Sequence, residues 1–128
     1  MATRTIKATL DTFSVDAGSE ITYLGNSTAS TTGGLDFRAF RVNPGTTGDI
    51  IVTIDKSSGL NTMEIFQEDA YTAGSAPTGY KKFANLVKDG KGKGVVAVTV
   101  TNAAKDYVVL LRLDGYSGVS YTGSVVVP

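Results

Sequence analysis

Turn-forming residues interrupt this chain so often that no long helix can form in it. Its 15 Gly and its Ser/Thr/Asn clusters fall every dozen or so residues. Between them lie short segments rich in Val, Ile, Thr, Tyr and Phe, the residues that suit a pleated, half-buried surface. Strands are expected at 4–10, 20–24, 35–42, 49–55, 61–68, 95–101, 106–113 and 119–127, about eight in all. In VSYTGSVVV (119–127), Val119, Tyr121, Val125 and Val127 share one face, while Ser120, Thr122 and Ser124 share the other. Residues 49–55 turn Ile50, Val52 and Ile54 inward and Thr53 and Asp55 outward. Residues 106–113 put Tyr107, Val109, Leu111 and Leu113 on one face but Val108 and Leu110 on the other, which marks a strand central to its sheet. The helical candidate is 80–88, where Phe83, Leu86 and Val87 stand at 3–4 spacing and Asp89-Gly90 would end the helix. With 128 residues and 41% apolar composition, the expectation is one all-β domain over 1–128. Its form should be an antiparallel β-sandwich of jelly-roll type with at most one short helix. The Ser/Thr/Gly-rich stretch 25–34 is a long loop inside it.

Three residue types are missing: Cys, His and Trp. Without Cys there is no disulfide framework, thiolate nucleophile or zinc–thiolate site. Without His the Ser-His-Asp and Cys-His arrangements are excluded, together with the commonest general base. The N-terminal MATRTIKATLDTF has no apolar core or cleavage pattern, so no signal peptide is expected. The longest uninterrupted apolar runs are four residues (VVAV and VVLL), too short to span a bilayer as a helix.

Charge collects in one place. Formal net charge is zero, but residues 81–93 hold Lys81, Lys82, Lys88, Lys91 and Lys93 against Asp89 alone, so this segment is +4 and the remainder −4. Gly74 and Gly79 have the separation of a phosphate loop. Tyr80 and Lys81, however, occupy the places where that motif needs Lys and then Ser/Thr. Nucleic-acid surfaces combine several cations with exposed aromatics and Arg, and this stretch has no Arg. The lysines are read first as a solvated loop. Their second use is a protein contact, in which another copy's Glu64, Glu68 and Asp69 could meet them. Phosphate binding comes last.

Carboxylates are the remaining catalytic currency. The twelve acids are scattered and sit mostly at strand ends and turns, where Asp bonds locally to backbone. Glycoside hydrolysis would need two of them facing across a cleft. Asp11 with Asp16, or Asp49 with Asp106, could converge on calcium, but no DxDxDG-type spacing exists and turn chemistry explains them better. No cofactor is expected. Tyr71, Tyr80 and Tyr116 fall in predicted loops and could form an aromatic platform for a ligand, though loop packing is the plainer use of each.

The stretches LDFRAFRVNPGTTGDIIVTID (35–55), NTMEIFQEDA (61–70) and KDYVVLLRLDGYSGVSYTGSVVV (105–127) resemble the bacterial pre-peptidase C-terminal domain. The likeness is one of strand order and turn placement: an aromatic-x-x-Phe-x-Val strand, a Pro/Gly turn, an alternating strand, and a Tyr-rich strand with a closing strand. It implies a jelly-roll-like β-sandwich, non-catalytic, that serves secreted enzymes in binding or stability. Neither an attached catalytic domain nor a leader is expected for this chain, which would depart from that pattern, and the family's calcium-binding acids do not map onto it. In style it also resembles small phage decoration and accessory proteins of the virion. The leading functional expectation is therefore a non-enzymatic structural subunit of a virion, a capsid decoration, cement or tail accessory protein. Its partners would be its own copies or a major capsid protein, with no nucleic acid or membrane, in a homo-oligomer or on a lattice. Its candidate contacts are the edge strands, the 25–34 and 71–93 loops, and in particular Lys81, Lys82, Lys88, Lys91, Lys93, Tyr71, Tyr80 and Tyr116. The alternative is a secreted or cell-surface accessory module of pre-peptidase C-terminal type that binds carbohydrate or protein, with calcium binding as an option.

Overall fold

The computed structural model describes residues 2–9, 12–15, 18–27, 37–58, 60–68, 82–85, 93–113 and 120–128. Ten strands form among them: β1 (Ala2–Thr9), β2 (Thr12–Val15), β3 (Ile21–Ser27), β4 (Phe37–Val42), β5 (Gly48–Ser58), β6 (Leu60–Gln67), β7 (Lys82–Asn85), β8 (Gly94–Val100), β9 (Tyr107–Leu113) and β10 (Ser120–Val127). They make two five-stranded sheets, in the orders β2-β1-β10-β5-β8 and β3-β4-β9-β6-β7, and every ladder is antiparallel.

Setting aside β2 and β3, each added at an edge, the remaining eight strands follow one rule. Counted along the chain, they lie 1-8-3-6 in the first sheet and 2-7-4-5 in the second. Apart from β6 and β7, which are neighbours in one sheet, successive strands of the eight cross between sheets in two Greek keys, which is the jelly roll. The β4–β5 crossing is made by residues 43–47, where Gly45 takes φ 71° and Gly48, at the start of β5, takes φ 139°.

The eight expected strands are all present, and β2 and β7 join them. The helix expected at 80–88 is not formed at 82–85. Those residues instead pair with β6, from Thr62↔Asn85 to Ile65↔Lys82. The 3–4 apolar spacing there was misleading because β6 offers an open ladder, and sheet hydrogen bonding outweighs a weak local helical period.

The core lies between the sheets. The first sheet contributes Ile6, Ile50, Val52, Ile54, Val125 and Val127, and the second contributes Phe40, Val42, Met63, Ile65, Val109 and Leu111, all essentially without solvent contact. Period-two patterning puts these residues on one face of each strand. The central strand β9 is apolar on both faces, as its sequence implies. Its Val108 and Leu110 join Ala39 and Phe66 in a second buried cluster on the far side of the second sheet. Thr62 is buried on the same side as that cluster, and its Oγ1 is the one buried side-chain polar atom among the described residues without a hydrogen-bond partner.

Two ion pairs tie elements that lie far apart in sequence. Arg4 on β1 donates from Nε and Nη2 to the carboxylate of Glu20, both at 2.9 Å, and so joins the first sheet to the approach to β3 in the second. Arg41 on β4 reaches Glu68, just beyond β6, with Nε donating at 2.8 and 2.9 Å. Because β9 lies between β4 and β6, this pair passes over Val108, which is in register with both Arg41 and Phe66.

The Arg4 hydrogen bond, helped by a backbone hydrogen bond, holds the Glu20 carboxyl below its ordinary pKa. A folded-state pKa lowered in this way stabilises the native state above the unfolded value, and that contribution disappears as pH falls through the folded one. An Arg4→Met variant should therefore melt below wild type at pH 7, with the gap closing as pH falls below the usual carboxylate range. Melting curves from pH 7 to 3 check this. A gap that stays constant down to pH 3 would show that Arg4 acts through packing rather than charge.

Candidate functional site

The expected contact residues meet the structure unevenly. Lys81, Lys88, Lys91, Tyr71, Tyr80 and Tyr116 lie outside the described residues. Lys82 opens β7, so it belongs to a strand and not to a loop. Lys93 is exposed and directly precedes β8. These two strands are the edges of their respective sheets, and β7 runs close to β8 without sharing a ladder with it. The fold therefore brings the beginning and the end of the lysine-rich segment to one side of the sandwich.

Beside that side lies a surface that the sequence reading did not single out. The outward residues of the first sheet align in straight rows. One row is Thr3–Val126–Ile51–Ala97, and the next is Thr5–Ser124–Thr53–Val95. The first row holds one hydroxyl and three apolar side chains, the second three hydroxyls and one valine, and neither row holds a charge. The surface ends at β8, where Val95, Ala97 and Thr99 are exposed. Val95 keeps 59% of its surface in solvent, and Tyr23 at 39% is the other large exposed apolar residue among those described. The strand alternation in 95–101 contained the signal. The unbroken VVAV run hid it, because four consecutive apolar residues suggest burial on both faces.

Most acids among the described residues are taken up by a neighbour. Glu20 and Glu68 are held by arginines. The Thr99 hydroxyl donates to Asp49 at 2.8 Å, and the Thr122 hydroxyl donates to Asp55 at 2.6 Å. Asp49 and Asp106, considered above for calcium, have separate company: Asp49 has Thr99, and Asp106 adds to the field that raises the Arg41 pKa, of which the Glu68 hydrogen bond is the main cause. Asp11 and Asp16 lie outside the described residues. Among the described residues, no three acids gather where they could hold a metal ion. Glu68 is also less free to meet a neighbour's lysines than its sequence position implies, because Arg41 occupies both of its oxygens.

No protein-family model matches the chain, and no curated protein matches it in sequence. Among solved structures, the chain is similar to CBM35 from Paenibacillus barcinonensis at 14% identity and a TM-score of 0.36, over 86% of this chain and 94% of that one.

Proposed function

We propose that this chain is a non-enzymatic assembly subunit that works through protein–protein contacts, and that its place is on a virion as a capsid decoration, cement or tail accessory protein. The observation that supports this most is the outward surface of the first sheet. Four strands present uncharged rows of Thr, Ser, Val, Ile and Ala, ending in the exposed Val95. These two rows suit contact with another protein: they have no charge to desolvate, Lys7, Lys56 and Asp49 being confined to the rows on either side, and they offer hydroxyls that can satisfy hydrogen bonds across an interface and small side chains that lose little rotamer entropy on burial. The paired state of Glu20, Glu68, Asp49 and Asp55 favours the same reading over acid–base catalysis. The virion placement rests on the likeness in style to small phage accessory proteins, and the sandwich alone is compatible with many roles.

Light scattering on the purified chain tests the reading. A dimer or larger species at micromolar concentration is expected. If the lysine segment contributes, that species should weaken with added salt, because exposed charge pairs are screened within about 10 Å at 0.1 M. A strict monomer that binds a glycan would overturn the proposal in favour of a carbohydrate-binding module.

A further inference from the structure

We infer that β8 is a strand-addition site for a second copy of this chain, and that two β8 strands pair antiparallel about a twofold axis through Ala97. This rests on the assembly reading above and gives it a partner and a register.

The argument starts from the sheet edges. A free edge carries unpaired N–H and C=O groups and templates further pairing, so folded proteins blunt edges with short strands, bulges, charges or proline. Three of the four edges here are blunted. β2 and β7 have four residues each, and the β3–β4 ladder shifts register between Tyr23 and Gly25. β8 is different. It is seven residues long, and it pairs with β5 from Gly48↔Val100 to Ile54↔Gly94 without a shift. It contains no charged residue and no proline; the nearest charge along the chain, Lys93, stands just before its first residue, and Asp49 of β5, in register with Thr99, accepts a hydrogen bond from the Thr99 hydroxyl. No strand among the described residues pairs with its outer edge.

The sequence of β8 also selects the partner. GVVAVTV is close to a palindrome in shape about Ala97: Val96 mirrors Val98, and Val95 mirrors the near-isosteric Thr99. Val96 and Val100 point inward, while Val95, Ala97 and Thr99 point out. Directly opposed residues in an antiparallel pair project to the same face, so a register that places Ala97 against Val96 would turn a buried valine to solvent. Registers in which each residue meets one of like orientation keep both faces intact. The one centred on Ala97 also uses all seven residues. It sets Val95 against Thr99 of the second copy and joins two five-stranded sheets into one continuous ten-stranded sheet. Main-chain hydrogen bonds supply the affinity, as in other strand-addition complexes.

Ala97 would then face itself across the axis. Opposed residues of an antiparallel pair have Cα atoms about 4.5 or 5.5 Å apart, and both spacings lie within disulfide range. The chain has no cysteine, so a single introduced thiol reports only on its own surroundings. Ala97→Cys is expected to form a disulfide-linked dimer under mild oxidation about tenfold faster, or more, than Thr5→Cys, because pairing raises the effective thiol concentration. Thr5 is equally exposed but sits three strands away on β1. Ala97→Lys, which opposes two ammonium groups, should lower the native mass to that of a monomer while leaving the circular dichroism spectrum unchanged. An oligomer that survives Ala97→Lys, with Ala97→Cys linking no faster than Thr5→Cys, would overturn the β8 interface and leave the assembly reading standing. A wild-type monomer would overturn the β8 pairing, and one that also binds a glycan would overturn the assembly reading with it.

Discussion

Replacing Gly123 with alanine is expected to lower the thermal midpoint by roughly 10 °C, a loss of about 3 kcal/mol for a domain of this size. Alanine usually stabilises a strand relative to glycine, because it restricts the unfolded chain more. Here the sign reverses. Between Thr122↔Lys56 and Gly123↔Ile54 the β10–β5 ladder skips Asp55, so the two strands come together closely at a bulge. A Cβ on Gly123 would lie 2.0 Å from the Thr53 carbonyl oxygen and 3.1 Å from the Ile54 Cα. Both are backbone atoms, held by β5 pairing with β10 on one side and β8 on the other. Neither can yield as the end of a flexible side chain would. Ser124→Ala on the adjacent, outward position is the control and should stay within about 0.5 kcal/mol of wild type. A Gly123→Ala variant that melts within two or three degrees of wild type would show that the strands at the bulge can part to admit a methyl group.

The same bulge illustrates what the sequence could and could not reveal. The period-two pattern in 49–55 and 119–127 gave the inward faces of β5 and β10 correctly, because burial imposes that period directly. Nothing in the pattern marks Asp55 as the skipped residue, since a bulge is a property of the pair and not of either strand. The ion pairs were invisible for a related reason. Glu20 and Glu68 appeared as scattered acids, because their partners lie 16 and 27 residues away and meet them only through strand order. β2 was missed because four residues give alternation too little length to be read, and β7 because its apolar spacing imitates a helix turn. The candidate surface was half legible. The lysine segment announced itself by charge. The uncharged rows ending at β8 could be found only once the sheet order had placed β1, β10, β5 and β8 side by side.

Truncating Phe40 to alanine should cost about 3–5 kcal/mol, through lost transfer free energy and the cavity left behind. Phe40 has no solvent contact and is among the largest fully buried side chains. It sits inside the second sheet in the row Phe40–Val109–Ile65, whose members all belong to the core between the sheets. Because the first sheet supplies the other wall of that core, with Ile50, Val52 and Val125 among its members, collapse around the cavity would require the sheets themselves to approach. Urea unfolding should show a lower midpoint with little change in slope, because the surface exposed on unfolding is nearly the same. Such a loss is a large part of the 5–15 kcal/mol typical of a whole domain. The variant also separates packing from association. Pairing through β8 would make the wild-type midpoint rise with protein concentration, since the dimer draws on the folded state by mass action. Phe40→Ala leaves that edge intact, so its midpoint should lie below wild type at every concentration yet rise with a similar slope. Ala97→Lys should do the reverse, matching wild type when dilute and losing the concentration dependence. If Phe40→Ala instead removed the slope, the edge would depend on core packing, and β8 could not act as a preformed template.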